Sequence, residues 1–248
     1  MLDLASALSG LQETHRESPW SSHEYVKGWG VVGLPFDSGH VLALRVLPES
    51  NFVSYRALWH RNPHGEWAVY VDQQKPCACT TYYGAACSRT AYTPLRIEWI
   101  GPASVRVTMD RPSVDWTFTA SDDWRLRALN AVNSRLPLAS WRSRALVRAR
   151  EEVARALGMG RLQLSGTTPS GHLGTLMPEE LYFIEESRAV VDGMDLGRPA
   201  HLLDNPLIGT LPLPTRGVLA KAMGMWRIDD PAEYERRLQE AVGFDALA

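Results

Sequence analysis

Residues 95–119, LRIEWIGPASVRVTMDRPSVDWTFT, decide the fold. Leu95, Ile97 and Trp99 alternate with Arg96 and Glu98, and Val105, Val107 and Met109 alternate with Arg106 and Thr108. Val114, Trp116 and Phe118 then alternate with Asp115, Thr117 and Thr119. Successive side chains of a strand point to opposite faces, so three such runs predict a half-buried antiparallel meander.

The same period extends upstream. Val53, Tyr55, Ala57 and Trp59 oppose Ser54, Arg56 and His60; after the turn Asn62-Pro63-His64-Gly65, Trp67, Val69 and Val71 oppose Glu66 and Asp72. Residues 41–47 are apolar on both sides apart from Arg45, the pattern of a central or doubly covered strand. Downstream the period changes. Asp122 or Asp123 can cap a helix carrying Trp124, Leu126, Leu129 and Val132, which Pro137 ends, and a second helix is expected from Ser140 to Leu157 with Gly158 at its C-terminus. Strand patterns resume at 161–166, 172–177, 181–185, 188–191 and 218–228, whereas 195–214 is irregular. Asp230 followed by Pro231 starts a short helix, expected over 231–241.

These elements predict a mainly β (α+β) protein. The expected architecture is an antiparallel β-barrel or closed sandwich, lipocalin-like by analogy only, with a helical hairpin inserted around 122–158 and a short C-terminal helix. Residues 1–248 are expected to form a single domain, with β-rich portions at about 25–120 and 160–228 flanking the hairpin. No family motif accompanies the pattern, and fold alone is a poor guide to function.

Composition excludes several classes. The chain has 248 residues, 45% hydrophobic and 22% charged, so disorder, collagen-like repeats and disulfide-dense miniproteins do not apply. The net charge is −2, which offers no global attraction for nucleic acid or an anionic membrane. Residues 125–161 nevertheless hold nine Arg against Glu151 and Glu152, a local +7 that leaves −9 elsewhere. No stretch reaches 18 uninterrupted apolar residues, so no transmembrane segment is expected, and residues 1–20 lack the basic start and apolar run of a signal peptide. Three cysteines, an odd number, then suggest free thiols and a cytoplasmic location.

Candidate chemistry is sparse. Gly28-Trp29-Gly30-Val31-Val32-Gly33 matches the dinucleotide fingerprint letter for letter, but Pro35 and Asp37-Ser38-Gly39 follow, and no helix can open there to receive a pyrophosphate. His60 and His64 flank a turn rather than sharing a helix face. Cys77, Cys79 and Cys87 lie in residues 73–93, read as a long connection and therefore as a lid, with Tyr82 and Tyr83 at its mouth; their spacing is not a standard zinc pattern, though they are the candidate metal ligands. Among nine tryptophans, Trp59, Trp67, Trp99 and Trp116 fall on the inward face by alternation and, with Tyr55, make the candidate wall of an apolar cavity. Arg45 is the candidate anchor for an acidic ligand group.

The leading expectation is therefore binding of an apolar or aromatic small molecule, without a cofactor. If chemistry follows, it would be general acid/base work of a lyase, hydratase or isomerase on a lipid-, terpenoid- or polyketide-like substrate, with Tyr83, His40, Arg45 and Asp115 as candidate catalytic residues. The alternative is a non-catalytic interaction protein whose Arg-rich helix, with Arg142, Arg144, Arg148, Arg150 and Arg155, meets an acidic partner or anionic surface.

Overall fold

The computed structural model describes residues 2–121 and 123–242. In chain order they form α1 (Leu4–Leu8), β1 (Thr14–His15), β2 (His23–Pro35), β3 (Val41–Ser50), β4 (Tyr55–Arg61), β5 (Trp67–Val71), α2 (Ala78–Tyr83) and β6 (Cys87–Tyr92). There follow β7 (Leu95–Trp99), β8 (Ser104–Met109), β9 (Val114–Ser121), α3 (Trp124–Asn133) and α4 (Arg144–Ala156). The last group is β10 (Ser165–Thr167), β11 (Leu173–Val191), β12 (Met194–Asp195), β13 (Leu207–Ile208), β14 (Leu211–Pro212), β15 (Val218–Arg227) and α5 (Pro231–Val242).

The protein is mostly β, and its main sheet is mixed. The order is β6-β5-β4-β3-β2-β15-β11-β9-β8-β7, with β1 pairing β3 and β10 and β12 pairing β11. Only β1–β3 and β5–β6 are parallel. Both β-rich portions enter this one sheet, because β15 inserts between β2 and β11. The expected closure is not found: among the described residues no ladder joins the terminal strands β6 and β7. The sheet instead curls, so that Leu42, Leu44, Leu58 and Tyr70 on the inner face share one core with Val105, Val107, Trp116 and Phe118. Leu4 and Leu8 of α1 join that core.

The outer face of β2–β5 carries a second core. Ala43, Ala57, Trp59, Trp67 and Val69 pack there against Cys77, Ala78, Cys79 and Tyr82. Burial on both faces explains why residues 41–47 read as continuously apolar. The helices cover the outer face farther along: Leu126 of α3 and Ala154 of α4 pack with Leu181, Phe183, Val218 and Ala220.

Several boundaries differ from the sequence expectation for identifiable reasons. Asp123 caps α3 by accepting the Arg125 N–H, while Asp122 lies outside the described residues. The second helix begins at Arg144, capped by Ser143, because residues 138–142 form a 3₁₀ turn first. The three short runs at 172–191 are one strand, β11, whose register shifts between Pro178 and Glu180 and between Ile184 and Glu186. Each bulge resets the alternation, so a continuous strand reads as fragments. Residues 73–93 are not a bare connection: α2 carries the chain over β5 to lay β6 parallel beside it.

The glycine motif falls in the middle of β2. A Cβ on Gly28 would stand 2.0 Å from the Val46 carbonyl oxygen, and one on Gly30 would stand 2.0 Å from that of Leu44. These glycines let β2 and β3 approach across a bulged pairing, with register shifts on both sides of Trp29.

Candidate functional site

A cavity of about 140 Å³ lies against the outer face of the sheet. Its floor is a ladder of small residues. Gly28 pairs with Ala222 and Gly30 with Ala220, and Gly224 continues the same stripe along β15. Trp226, next on that face, folds back across its neighbours: a Cβ on Gly174 would stand 2.9 Å from its indole nitrogen, and one on Gly224 would stand 2.8 Å from its ring. At these glycines the space a Cβ would take is already occupied by β3 main chain or the Trp226 ring, and the hollow is bounded by this stripe of small residues together with the side chains around it.

The wall on the β3–β4 side consists of Arg45, Leu47, Tyr55 and Trp59. Cys79 and Tyr83 of α2 close it from above, with Ile208 and Leu211 from the β13–β14 hairpin and Leu162 and Leu164 from the approach to β10. The Tyr83 ring meets the Trp59 ring edge-on at 5.2 Å and that of Trp226 at 6.4 Å. Burial pushes the Tyr83 hydroxyl up to about 12, so at neutral pH it is a hydrogen-bond donor and not a base.

Among the described residues, Arg45 is the one charged residue in this lining. Its guanidinium donates to the carbonyls of Val31, Leu44 and Val32, and its Cζ lies 5.2 Å from the Trp59 ring centroid. The bulged crossing of β2 over β3 supplies those carbonyls. The same irregularity that requires glycine therefore also seats the arginine.

A tie holds α2 to the sheet beside the cavity. Tyr82 stacks on Trp226 with ring centroids 5.0 Å apart, and its hydroxyl donates to Glu24 of β2 at 2.7 Å. Arg237 of α5 donates to both Glu24 and the Tyr82 oxygen. Glu24 is 1% exposed, yet its carboxylate is met by two donors.

The cavity gathers some of the sequence candidates and separates others. Tyr55, Trp59, Arg45 and Tyr83 line it. Trp67 stands behind Trp59, with its indole N–H donating to the Leu207 carbonyl at 2.7 Å. Trp99 and Trp116 belong to the inner-face core, where Trp99 packs on Trp29 and Trp116 donates to Ser187. The four indoles thus do not share one interior, because alternation separates a strand's two faces but does not say which face of one strand meets which face of another.

His40 also lies away from the cavity. Its Nδ1 is 2.8 Å from Nε2 of His60, and the two rings stack. Burial, with His40 adding to it, holds His60 down to about 4. Asp115 makes an exposed two-contact ion pair with Arg106, at 2.8 and 2.9 Å.

The thiols sit in three different settings. Cys79 donates to the Tyr55 oxygen at 3.2 Å, Cys77 meets the Thr80 hydroxyl, and Cys87 donates to the Tyr83 carbonyl. Burial pushes Cys79 up to about 12 and Cys87 to about 11, which keeps both as thiols at neutral pH. Among the described residues no group of three or more His, Cys, Asp or Glu is placed to hold a metal ion.

The arginines of α4 and of the turn before it divide. Arg150 turns inward, over the Trp141 ring and onto the Ser140 hydroxyl, while Arg142 of the turn and Arg144 and Arg148 of α4 are exposed. Among the described residues no helix is long and apolar enough to cross a membrane.

Alternation within β4 found Tyr55 and Trp59, but Trp226 and the roof at 208–213 escaped it. The readable signal for the floor is Ala220-x-Ala222-x-Gly224-x-Trp226, a period-two stripe of small residues ending in an indole. No protein-family model matches the chain, and no curated protein matches it either.

Proposed function

We propose that the protein binds a compact apolar or aromatic small molecule in the cavity between the outer sheet face and α2. The observation that carries this reading is the small-residue floor, Gly28, Gly30, Ala220, Ala222 and Gly224, roofed by aromatic and aliphatic side chains. Protein interiors ordinarily fill such a hollow. The volume is close to that of an engineered apolar cavity of about 150 Å³ that admits benzene. The ligand would sit beside a curled sheet and not within a closed barrel.

The lining favours binding over acid–base turnover. Among the described residues no Asp, Glu, His or Lys lines the cavity, and Tyr83 is held in its protonated form. Calorimetric titration with ethylbenzene tests the reading, against Ala222→Leu as a filled control. Saturable binding to the native protein that Ala222→Leu abolishes is expected. A native protein that binds no apolar probe, or an equally active filled variant, overturns it.

A further inference from the structure

We infer that the cavity is shaped for a monocarboxylate, an apolar body carrying one acid group that Arg45 and the Trp59 indole N–H hold together. This rests on the cavity reading above and specifies its ligand.

The first support is the character of the polar groups. A guanidinium and an indole N–H can only donate. Trp59 and Trp226, both in the cavity lining and 2% and 8% exposed, carry buried indole N–H groups that have no hydrogen-bond partner. The Trp59 N–H points towards the Cys79 sulfur and that of Trp226 towards the Tyr83 oxygen, in neither case with hydrogen-bond geometry. Buried donors are ordinarily satisfied, so two orphans on one cavity mark where an acceptor belongs.

The second support is charge. All three hydrogen bonds of Arg45 go to backbone carbonyls, and among the described residues none goes to a carboxylate. Those carbonyls fix the guanidinium but do not neutralise it, and roughly two of its five N–H donors remain for a ligand. The other polar residues of the lining, Gln163, Thr168, Thr175, Tyr55 and Tyr83, are uncharged at neutral pH, so a single cation there balances a single negative charge. A dianionic phosphate would carry a second charge into the same site with nothing to meet it, so a monoanionic group is favoured, and a carboxylate is the compact one that suits this volume.

Size completes the assignment. A cavity of about 140 Å³ suits an arylalkanoic or short-chain acid better than a long fatty acid.

The decisive experiment is calorimetric titration of the full chain with 3-phenylpropanoate and with 3-phenylpropanol, which share one carbon skeleton, and with ethylbenzene as an uncharged control. The acid is expected to bind about tenfold tighter than the alcohol, the order of one charge-assisted hydrogen-bonded contact. Arg45→Met should erase that preference, lowering the affinity of the acid about tenfold more than that of the alcohol. Because Arg45 also braces β2, Trp59→Phe is the second variant: it keeps a ring but removes the N–H, and should weaken the acid more than the alcohol. Equal binding of acid and alcohol, or an acid preference that survives both substitutions in folded protein, overturns the inference while ethylbenzene binding still supports the cavity. Failure of all three probes overturns the cavity reading itself.

Discussion

Glu24 and Arg237 form a buried ion pair between the first long strand and the last helix, and the Tyr82 hydroxyl bridges them. The pair joins β2, α2 and α5 at one point beside the cavity. Removing one partner strands the other charge in a site with almost no water.

Arg237→Ala is accordingly expected to destabilise the protein by about 3 kcal/mol or more, the range for breaking a buried pair from one side. Glu24→Gln should also destabilise, and the double variant should cost less than the sum of the two. Urea denaturation of the three proteins measures this; additive costs would show that the two groups act separately.

Gly28→Ala and Gly30→Ala are expected to destabilise by about 3 kcal/mol, at the upper end of overpacking costs. Their added methyl groups would collide with main chain of β3, which cannot swing aside as a side chain can. Gly174→Ala meets the movable Trp226 ring instead, so it should cost roughly 1 kcal/mol and change tryptophan fluorescence. Comparable losses at all three positions would contradict the distinction.

The histidine pair predicts a pH dependence. His60 is held neutral down to about 4, whereas in the unfolded chain it takes its proton near 6.5. Between those values the unfolded state binds more protons, so stability falls as pH drops through that window. His40 is shifted in the same direction by burial. Denaturation midpoints at pH 7, 6 and 5 should decline, and His60→Gln should flatten the decline; a slope unchanged by that substitution would place its origin elsewhere.

Thiol accessibility gives a fourth expectation. Cys77 and Cys79 are buried and Cys87 is half-buried. A thiol reagent should therefore label Cys87 first in the native protein, with all three reacting at once in denaturant. An occupant of the cavity should slow Cys79 selectively, since that residue lines it. Mass mapping of the labelled peptides reads each site.

How far the sequence carries depends on which interactions set each feature. Val105, Val107, Trp116 and Phe118 follow from alternation alone because their strands pair with close sequence neighbours. The small β6 and the helix before it escape because Ala78 to Tyr83 is too short to show a helical period. Within the site, Tyr55 and Trp59 were legible as one face of β4. Their partners Trp226, Ile208 and Leu211 come from distant segments, and no local pattern announces that they meet. Arg45 stood out as a lone charge in an apolar run, but its bracing by β2 carbonyls depends on a bulge that the glycines only hint at.

The place of β15 between β2 and β11 also governs how the molecule can be made. As the chain leaves the ribosome, β2 acquires β3 on one side early, while its other edge stays open until residues 218–227 emerge. β11 waits for the same segment. The long, apolar edge of β2 is therefore exposed through most of translation and that of β11 for the shorter interval before β15 emerges, and such edges invite pairing with other chains. Closing the centre last also means that the slowest step joins the most distant parts of the chain. Expression conditions that shorten this wait, or shield the waiting edges, should govern the yield of folded protein.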